Sequence, residues 1–422
     1  MPEYDMTDLL SVMSGQFVND EENMTMLASE PCGPLKGIRI IDLTSVVMGP
    51  FATQILADLG ADVIKVESPA GDTTRNMGYR QHKGMGSNFL HLNRNKRSVV
   101  LDLKTPEGRE ACLALAKTAD VFLYNVRPQA MARLGLSYEA VKAVNPQIVY
   151  AGAYGFSDNG PYAGRPAYDD LIQGMTGIPA LYSQHTGLPP RYVPLTMADR
   201  IVGLQAGIAC LAGVLESRQS GQGQSIEIPM FETMAQFVLN DHLGGATFEP
   251  PKGEMGYSRL LVEPRKPYQA ADGYVCVIVH TNKHWQRFLD LVGRPDLLVP
   301  GSVFESVESR ARHVNQVYGF LADMILGNTV AYWVETLAAV DIPVAPLNQV
   351  EDLLEDPHLQ ATGQIVKMVH PTEGHLRTVA PVGNYSRTPP GIYRHAPNLG
   401  EHTEEILREV GFMPESSPPR ET

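Results

Sequence analysis

Residues 37–67 read GIRIIDLTSVVMGPFATQILADLGADVIKVE, and this stretch decides the fold. GIRIIDLT is a short apolar run rich in β-branched residues, as a strand covered on both faces requires. Gly49 and Pro50 mark a turn, FATQILADLG has helical periodicity and stops on Gly60 as a C-cap would, and ADVIKVES supplies a second strand. Strand, helix and strand within about thirty residues make a βαβ unit, and such units build parallel sheets through right-handed crossovers.

The theme continues outward. RSVVLDL (97–103), DVFLYNV (120–126) and QIVYAGAYGF (147–156) read as strands, and TPEGREACLALAKTA (105–119) as a helix opening on Thr105 and Pro106. Residues 34 to about 160 are therefore expected to form a doubly wound α/β layer. Near 200 the pattern changes to a long helix of small residues, DRIVGLQAGIACLAGVLESRQ, stopped by GQGQ and followed by the strand SIEIPM. Beyond it, VEPRKPYQAADGYVCVIVH suits a hairpin turning at Asp272-Gly273, and KHWQRFLDLVG an amphipathic helix. The expected organisation is an N-terminal extension over 1–33, the first part of a large α/β domain over 34–225, a small α+β domain over 228–325, and a linker and return to the large domain over 326–422. The Pro- and Gly-rich tail, with QIVKMVH and TEEILREVGF, has no core of its own, which is why it is expected to return.

Bulk composition narrows the function. The chain of 422 residues carries a formal charge of −13, so it offers no basic footprint for nucleic acid or an anionic membrane, and neither is expected as a partner. No uninterrupted apolar run approaches the roughly 20 residues that span a bilayer. The acidic start lacks the basic and apolar regions of a signal peptide. Cys32, Cys112, Cys210 and Cys276 lie far apart with no metal-ligand spacing, which reads as reduced thiols in a cytoplasmic protein with no metal site.

The turn after the first strand, TSVVMGPFATQ, holds one glycine rather than the three of a dinucleotide fingerprint, and neither a phosphate-binding P-loop nor a serine nucleophile elbow is present. In LNRNKRSVVLDLK, Arg94, Lys96 and Arg97 cluster at the start of a strand with Lys104 at its end. That is a candidate phosphate site at the mouth of the sheet, or a solvated strand end. Asp199 follows YVPLTMA and opens the long helix, whose start is expected near Ile201. Locally it reads as an N-cap, although a carboxylate at such a place can also be a nucleophile.

Taken together, LKGIRIIDLTSVVMGPFATQILADLGADVIKVESPAGDTTR, NRNKRSVVLDLKTPEGRE, ADVFLYNVRPQAMARLGL, the PLTMADRIVGLQAG stretch around Asp199, and GQGQSIEIPMFE resemble the family III CoA-transferases, the group that includes formyl-CoA transferase and carnitine CoA-transferase. The resemblance runs from about Leu35 to about Phe412. It implies an interlocked homodimer in which each large Rossmann-like domain is built from both ends of the chain, a smaller domain lies between, and each active site sits between domains of different subunits. It also implies Asp199 as the nucleophile, forming an anhydride with an acyl group and then an aspartyl-CoA thioester. The positions matching the family's CoA site are Val46, Val47, Leu101, Lys104, Asn125, Val126 and Arg133, with Arg97 a further candidate for the phosphates. The CoA thioester is a substrate, passed to an organic acid, and no permanently bound cofactor is implied.

Two departures shape the expectation. An acyl-CoA racemase, the neighbouring activity in the superfamily, resembles this chain but needs a base on each face of the reacting carbon and supplies a histidine beside an aspartate. Here PAYDDLIQ puts Tyr168 in the histidine's place, so Tyr168 and Asp169 are expected to line the acyl pocket or to order the loop near the nucleophile, with a surface turn residue the plain alternative for Asp169. The glycine run that covers the site in formyl-CoA transferase is reduced to Gly244-Gly245, which argues against oxalate as acceptor. Arg265 or Lys266 is a candidate for a carboxylate-bearing substrate. Succinyl-CoA is the expected donor. A racemase and a CoA-binding protein without turnover are the alternatives.

Overall fold

The computed structural model describes residues 30–412, so most of the expected extension, residues 1–29, lies outside the described residues. Six strands form a wholly parallel sheet: β1 (Arg39–Leu43), β2 (Asp62–Glu67), β3 (Lys96–Val100), β4 (Val121–Tyr124), β5 (Val149–Tyr154) and β6 (Gln224–Pro229). Their order is β3-β2-β1-β4-β5-β6, the Rossmann order, which reverses direction between β1 and β4 and opens a crevice beyond their carboxyl ends.

Both faces of the sheet are covered, so the strands are apolar on both sides. Ile40, Val63, Val121 and Val149 pack on one face against α1 (Met48–Asp58) and the long α4 (Met197–Ser220). Ile41, Ile64, Phe122 and Tyr150 pack on the other against α2 (Pro106–Ala116). Between these helices in the chain lies the short α3 (Asp169–Met175), and after β6 comes α5 (Met230–His242). The small residues of α4 set its depth. A Cβ at Gly203 would stand 2.7 Å from the Met48 carbonyl oxygen, so only glycine lets the start of α4 lie against the start of α1.

α4 is long and apolar enough to cross a bilayer by length and composition, but Val202, Ala206, Cys210 and Val214 bury one face of it in the core. Leu204, Ile208 and Leu215 stay exposed on the other.

The basic cluster of the third strand is a correction to the sequence reading. Lys96 is wholly buried and pairs with buried Asp42 at 3.1 Å, while also donating to the Pro50 carbonyl and to Asn93. Lys65, equally buried, pairs with Asp72 at 2.9 Å. Arg94 forms two bonds to Asp58, at 3.0 and 2.6 Å. Burial opposes the Asp42 charge, but Lys96 and Lys65, helped by Thr44 and Thr53, hold its carboxyl down at about 2. These cations are satisfied inside the protein and are not free for phosphates.

Arg97 is likewise turned inward. It meets Asp62, Glu405 and Glu409 and so clamps the last helix, whose Ile406 and Leu407 join the core of Ile41 and Ile64.

A separate core surrounds the antiparallel sheet β7 (Tyr268–Gln269), β8 (Tyr274–Val277) and β9 (Val344–Pro346). The hairpin turn at Asp272-Gly273 is where it was expected. The boundaries differ from the reading. Trp333 and Leu337, past residue 325, belong to this core, whereas Met230 and Met234 of α5, past residue 228, belong to the large sheet. The chain then runs through the hairpin β10 (Ile365–His370) and β11 (Gly374–Val379) to the last helix, Thr403–Glu409.

Candidate functional site

The crevice at the switch point holds the residues whose chemistry needs explaining. A cleft of about 400 Å³ is lined by Ser45, Val46, Val47, Asn125, Val126 and Asp199, with Tyr154, Tyr168, Arg127 and Arg165 around it. Four of the predicted CoA contacts, Val46, Val47, Asn125 and Val126, therefore share a cavity with the predicted nucleophile and with Tyr168. Leu101 is buried in the core. Lys104 lies exposed just past the carboxyl end of β3, and Arg133 exposed at the end of the helix Pro128–Arg133; neither lines this cleft. Arg97 stands in the packing of the last helix. Arg265 and Lys266 line a different cleft, of about 240 Å³, with Arg259 and Tyr318 on the smaller core.

The cleft wall is built by local bonds. Asn125 donates to the Ser45 carbonyl at 2.7 Å and accepts from the Ser45 amide at 3.0 Å, stapling the turn after β1 to the end of β4. Its amide is spent on this staple, so its part is to shape the wall. Val46 sits at φ 71°, a left-handed conformation that a β-branched residue adopts only under strain; its N–H donates to Asp72 at 3.2 Å. Val46→Gly is expected to raise the unfolding free energy by up to ~1 kcal/mol while weakening CoA binding. Denaturant titration and calorimetry with CoA read the two effects, and an unchanged or lower midpoint contradicts the strain.

The helix carrying Asp199 begins at Met197, not near Ile201, so Asp199 lies inside the first turn and is not the cap. Its carboxylate accepts no hydrogen bond from any described residue, while its backbone N–H donates to Asp169 Oδ2 at 2.9 Å. Burial, and next the negative charge of Asp169, push the Asp199 carboxyl up to about 7, with Arg200 opposing.

Of the two parts expected of Asp169, lining the acyl pocket does not fit, since it is buried behind the nucleophile and outside the cleft; ordering the chain near Asp199 does, and its other oxygen accepts from Gln173 at 2.6 Å. Tyr168 projects its ring largely into the open, 74% exposed. The arrangement offers a carboxylate with raised basicity, an apolar wall at Val46, Val47, Val126 and Met230, and cations at the rim: the means to attack an activated acyl carbon and to hold a long anionic substrate.

Sequence reasoning missed Arg127, Arg165 and Gln173. Arg127 lay in the quoted NVRPQ motif, where its charge was the available signal. Neither arginine pairs with a carboxylate among the described residues: Arg127 donates to the Gly164 carbonyl at 3.0 Å and Arg165 lies 4.4 Å from the Tyr162 ring centre.

Comparison with known proteins adds an independent line. The family described as CoA-transferase family III matches residues 35–403. A succinate–glutarate CoA-transferase of Agrobacterium fabrum is 30% identical over 397 residues, 92% of this chain and 98% of that protein. A human succinyl-CoA:glutarate CoA-transferase is 29% identical over 378 residues, covering 89% of this chain and 86% of that one. The crystal structure of a CaiB/BaiF family protein from Brucella suis superposes with a TM-score of 0.75 at 30% identity, covering 90% of this chain and all of that one.

Proposed function

This chain belongs to CoA-transferase family III and is a CoA-transferase; from that premise we propose that it moves CoA from succinyl-CoA to a dicarboxylic acid through covalent intermediates on Asp199. The observation that carries the reading is the Asp199 carboxylate, unbonded and of raised basicity, sharing one cleft with the residues expected to hold CoA.

The thioester carbonyl lies against Asp199 and the nucleotide end toward the rim. Asp199 attacks the carbonyl carbon, the C–S bond breaks, and CoA leaves as its thiolate, giving an acyl anhydride. The thiolate returns to the aspartyl carbonyl and the donor acid departs as its carboxylate, leaving an aspartyl-CoA thioester. The acceptor carboxylate then attacks that thioester, and the thiolate attacks the acyl carbon of the second anhydride, restoring Asp199. Exclusion of water from the cleft by the bound substrate keeps both anhydrides from hydrolysis. Arg127 and Arg165 at the rim, with Lys104 and Arg133 further along the surface, supply positive charge for the phosphates.

The donor and acceptor class rest on relatives named for succinyl-CoA, glutarate and, in Chloroflexus aurantiacus, L-malate. The exposed apolar side chains of Leu204, Ile208 and Leu215, with Phe237 and Leu239 of α5, support a homodimer, since apolar surface of this kind is covered in an oligomer; that its chains interlock rests on the family resemblance alone. Four unpaired cysteines suit a reducing cytoplasm.

The test incubates the protein with succinyl-CoA and a mixture of organic acids and follows new CoA thioesters by mass spectrometry, with hydroxylamine to trap the aspartyl thioester. New thioesters and a hydroxamate on Asp199 support the reading. Retention of CoA without turnover on a broad panel of donors and acids favours a binding protein instead, and exchange of the proton α to the thioester favours a racemase.

A further inference from the structure

Gln173 is fully enclosed, and its amide is bonded at every turn. The Nε2 donates to Asp169 Oδ1 at 2.6 Å and to the Leu195 carbonyl at 3.3 Å, and Oε1 accepts from the Val193 amide at 2.9 Å. Asp169, one turn earlier on α3, uses its second oxygen on the Asp199 amide at 2.9 Å. Three backbone points on the approach to the nucleophile, at 193, 195 and 199, thus hang on two side chains of one short helix, which Ile172 anchors in the core. The approach, residues 188–196, has no helix or strand of its own.

We propose that Asp169 and Gln173 are a positioning pair for the transfer reaction: they fix the backbone that carries Asp199 and set a negative charge behind it. This rests on Asp199 being the nucleophile.

The choice of residue is informative. A serine or asparagine would also accept from the Asp199 amide, and a second carboxylate beside the first adds repulsion. That repulsion acts only while Asp199 is ionised. In the anhydride and in the CoA thioester the Asp199 group is neutral, so the Asp169 charge raises the energy of the free carboxylate relative to both covalent states. It makes the nucleophile more basic and favours its capture.

The groups bearing on Asp199 are Asp169 from α3 and Arg200 from α4, with Tyr154, Tyr168, Arg127 and Arg165 around the cleft. Arg200 stacks 4.5 Å from the Phe51 ring centre. Its attraction opposes the effect of Asp169, which is why the charge of Asp169 must be tested on its own.

Two full-length variants separate the two parts of the proposal. Asp169→Asn keeps the size and an acceptor oxygen but removes the charge; Gln173→Leu keeps the bulk but removes the three bonds. Carbodiimide labelling of Asp199 against pH, read by mass spectrometry of its peptide, follows its protonation with no substrate present. In Asp169→Asn the labelling midpoint is expected to fall by roughly half a pH unit or more; an unmoved midpoint overturns the charge role.

In Gln173→Leu, formation of the Asp199 adduct from succinyl-CoA is expected to slow ~10–100-fold, with CoA affinity within about threefold of the parent. Adduct formation at the parent rate overturns the positioning role. If the parent itself forms no adduct with succinyl-CoA, the donor reading fails, while the labelling curve still decides the Asp169 half.

Discussion

Asp199→Asn is expected to lose CoA transfer by at least about a thousandfold and yet to be more stable than the parent at pH 8. The loss follows from removing the atom that attacks, since an amide oxygen does not displace a thiolate. The gain follows from linkage. In the unfolded chain the carboxyl titrates near 3.8, and in the folded protein burial and Asp169 raise it to about 7. A folded-state value above the unfolded one means that the folded state binds the proton more tightly, so ionisation costs stability. The cost begins as pH rises past the unfolded value, is complete above about 7, and is absent in strong acid. Asparagine never carries that charge, so the variant gains ~1–3 kcal/mol at pH 8 for a group that keeps some contact with solvent, and nothing near pH 4. Unfolding midpoints at the two pH values, beside the transfer assay, check both halves. A variant that is inactive but equally stable at both pH values would show that the site does not strain its own nucleophile.

The second large effect lies beneath the sheet. Lys96→Met is expected to cost ~3–5 kcal/mol, because it leaves Asp42 charged and buried with its nearest cation gone. Lys65, in register with Asp42 on the neighbouring strand β2 but bonded to Asp72, compensates only in part. Combining the change with Asp42→Asn is expected to recover much of the loss, since the threonine donors still find an acceptor and no lone charge remains. The sign with pH follows from the same group. In the parent, Asp42 is held at about 2, so its stabilisation is present above the unfolded value and lost as pH falls through the folded one. In the variant, burial without Lys96 turns that contribution into a cost, which protonation relieves. The gap between parent and variant therefore narrows as pH falls, which denaturant titration across pH tests directly.

How far the chain could be read depends on what each residue does. Strands β1, β2, β4 and β5 were legible because a strand covered on both faces must be apolar throughout, and runs such as RIIDL and VFLY say so locally. The charges within β1, β2 and β3 were not. A lysine paired with an aspartate 54 residues earlier looks, in one dimension, the same as a lysine waiting for a phosphate.

Asp199 shows the same limit. Its local sequence favoured a cap, and only several long motifs together pointed to a nucleophile; the structure then removed the cap by starting the helix two residues before it. The smaller core was bounded too early because Trp333 and Leu337 sit on a helix that packs on β9, just after it, and on β8, more than fifty residues before it. Gln173 had no signal beyond its spacing of four from Asp169, since its bonds run to backbone atoms that carry no sequence at all.

The clamp on Arg97 sets a schedule for making the protein. Its partners Glu405 and Glu409 lie 308 and 312 residues further on, and Glu409 also holds Arg39 across 370. At ~5–20 residues per second a ribosome finishes the first strands roughly 15–60 s before it delivers the helix that covers them. Throughout that interval the nascent chain presents Ile41 and Ile64 without Ile406 and Leu407, and Arg97 with Asp62 but without Glu405 and Glu409. A stop codon placed just before Thr403 would spare every residue of the cleft, yet the product would stay in that unfinished state, dependent on chaperones and open to proteases, for the rest of its life.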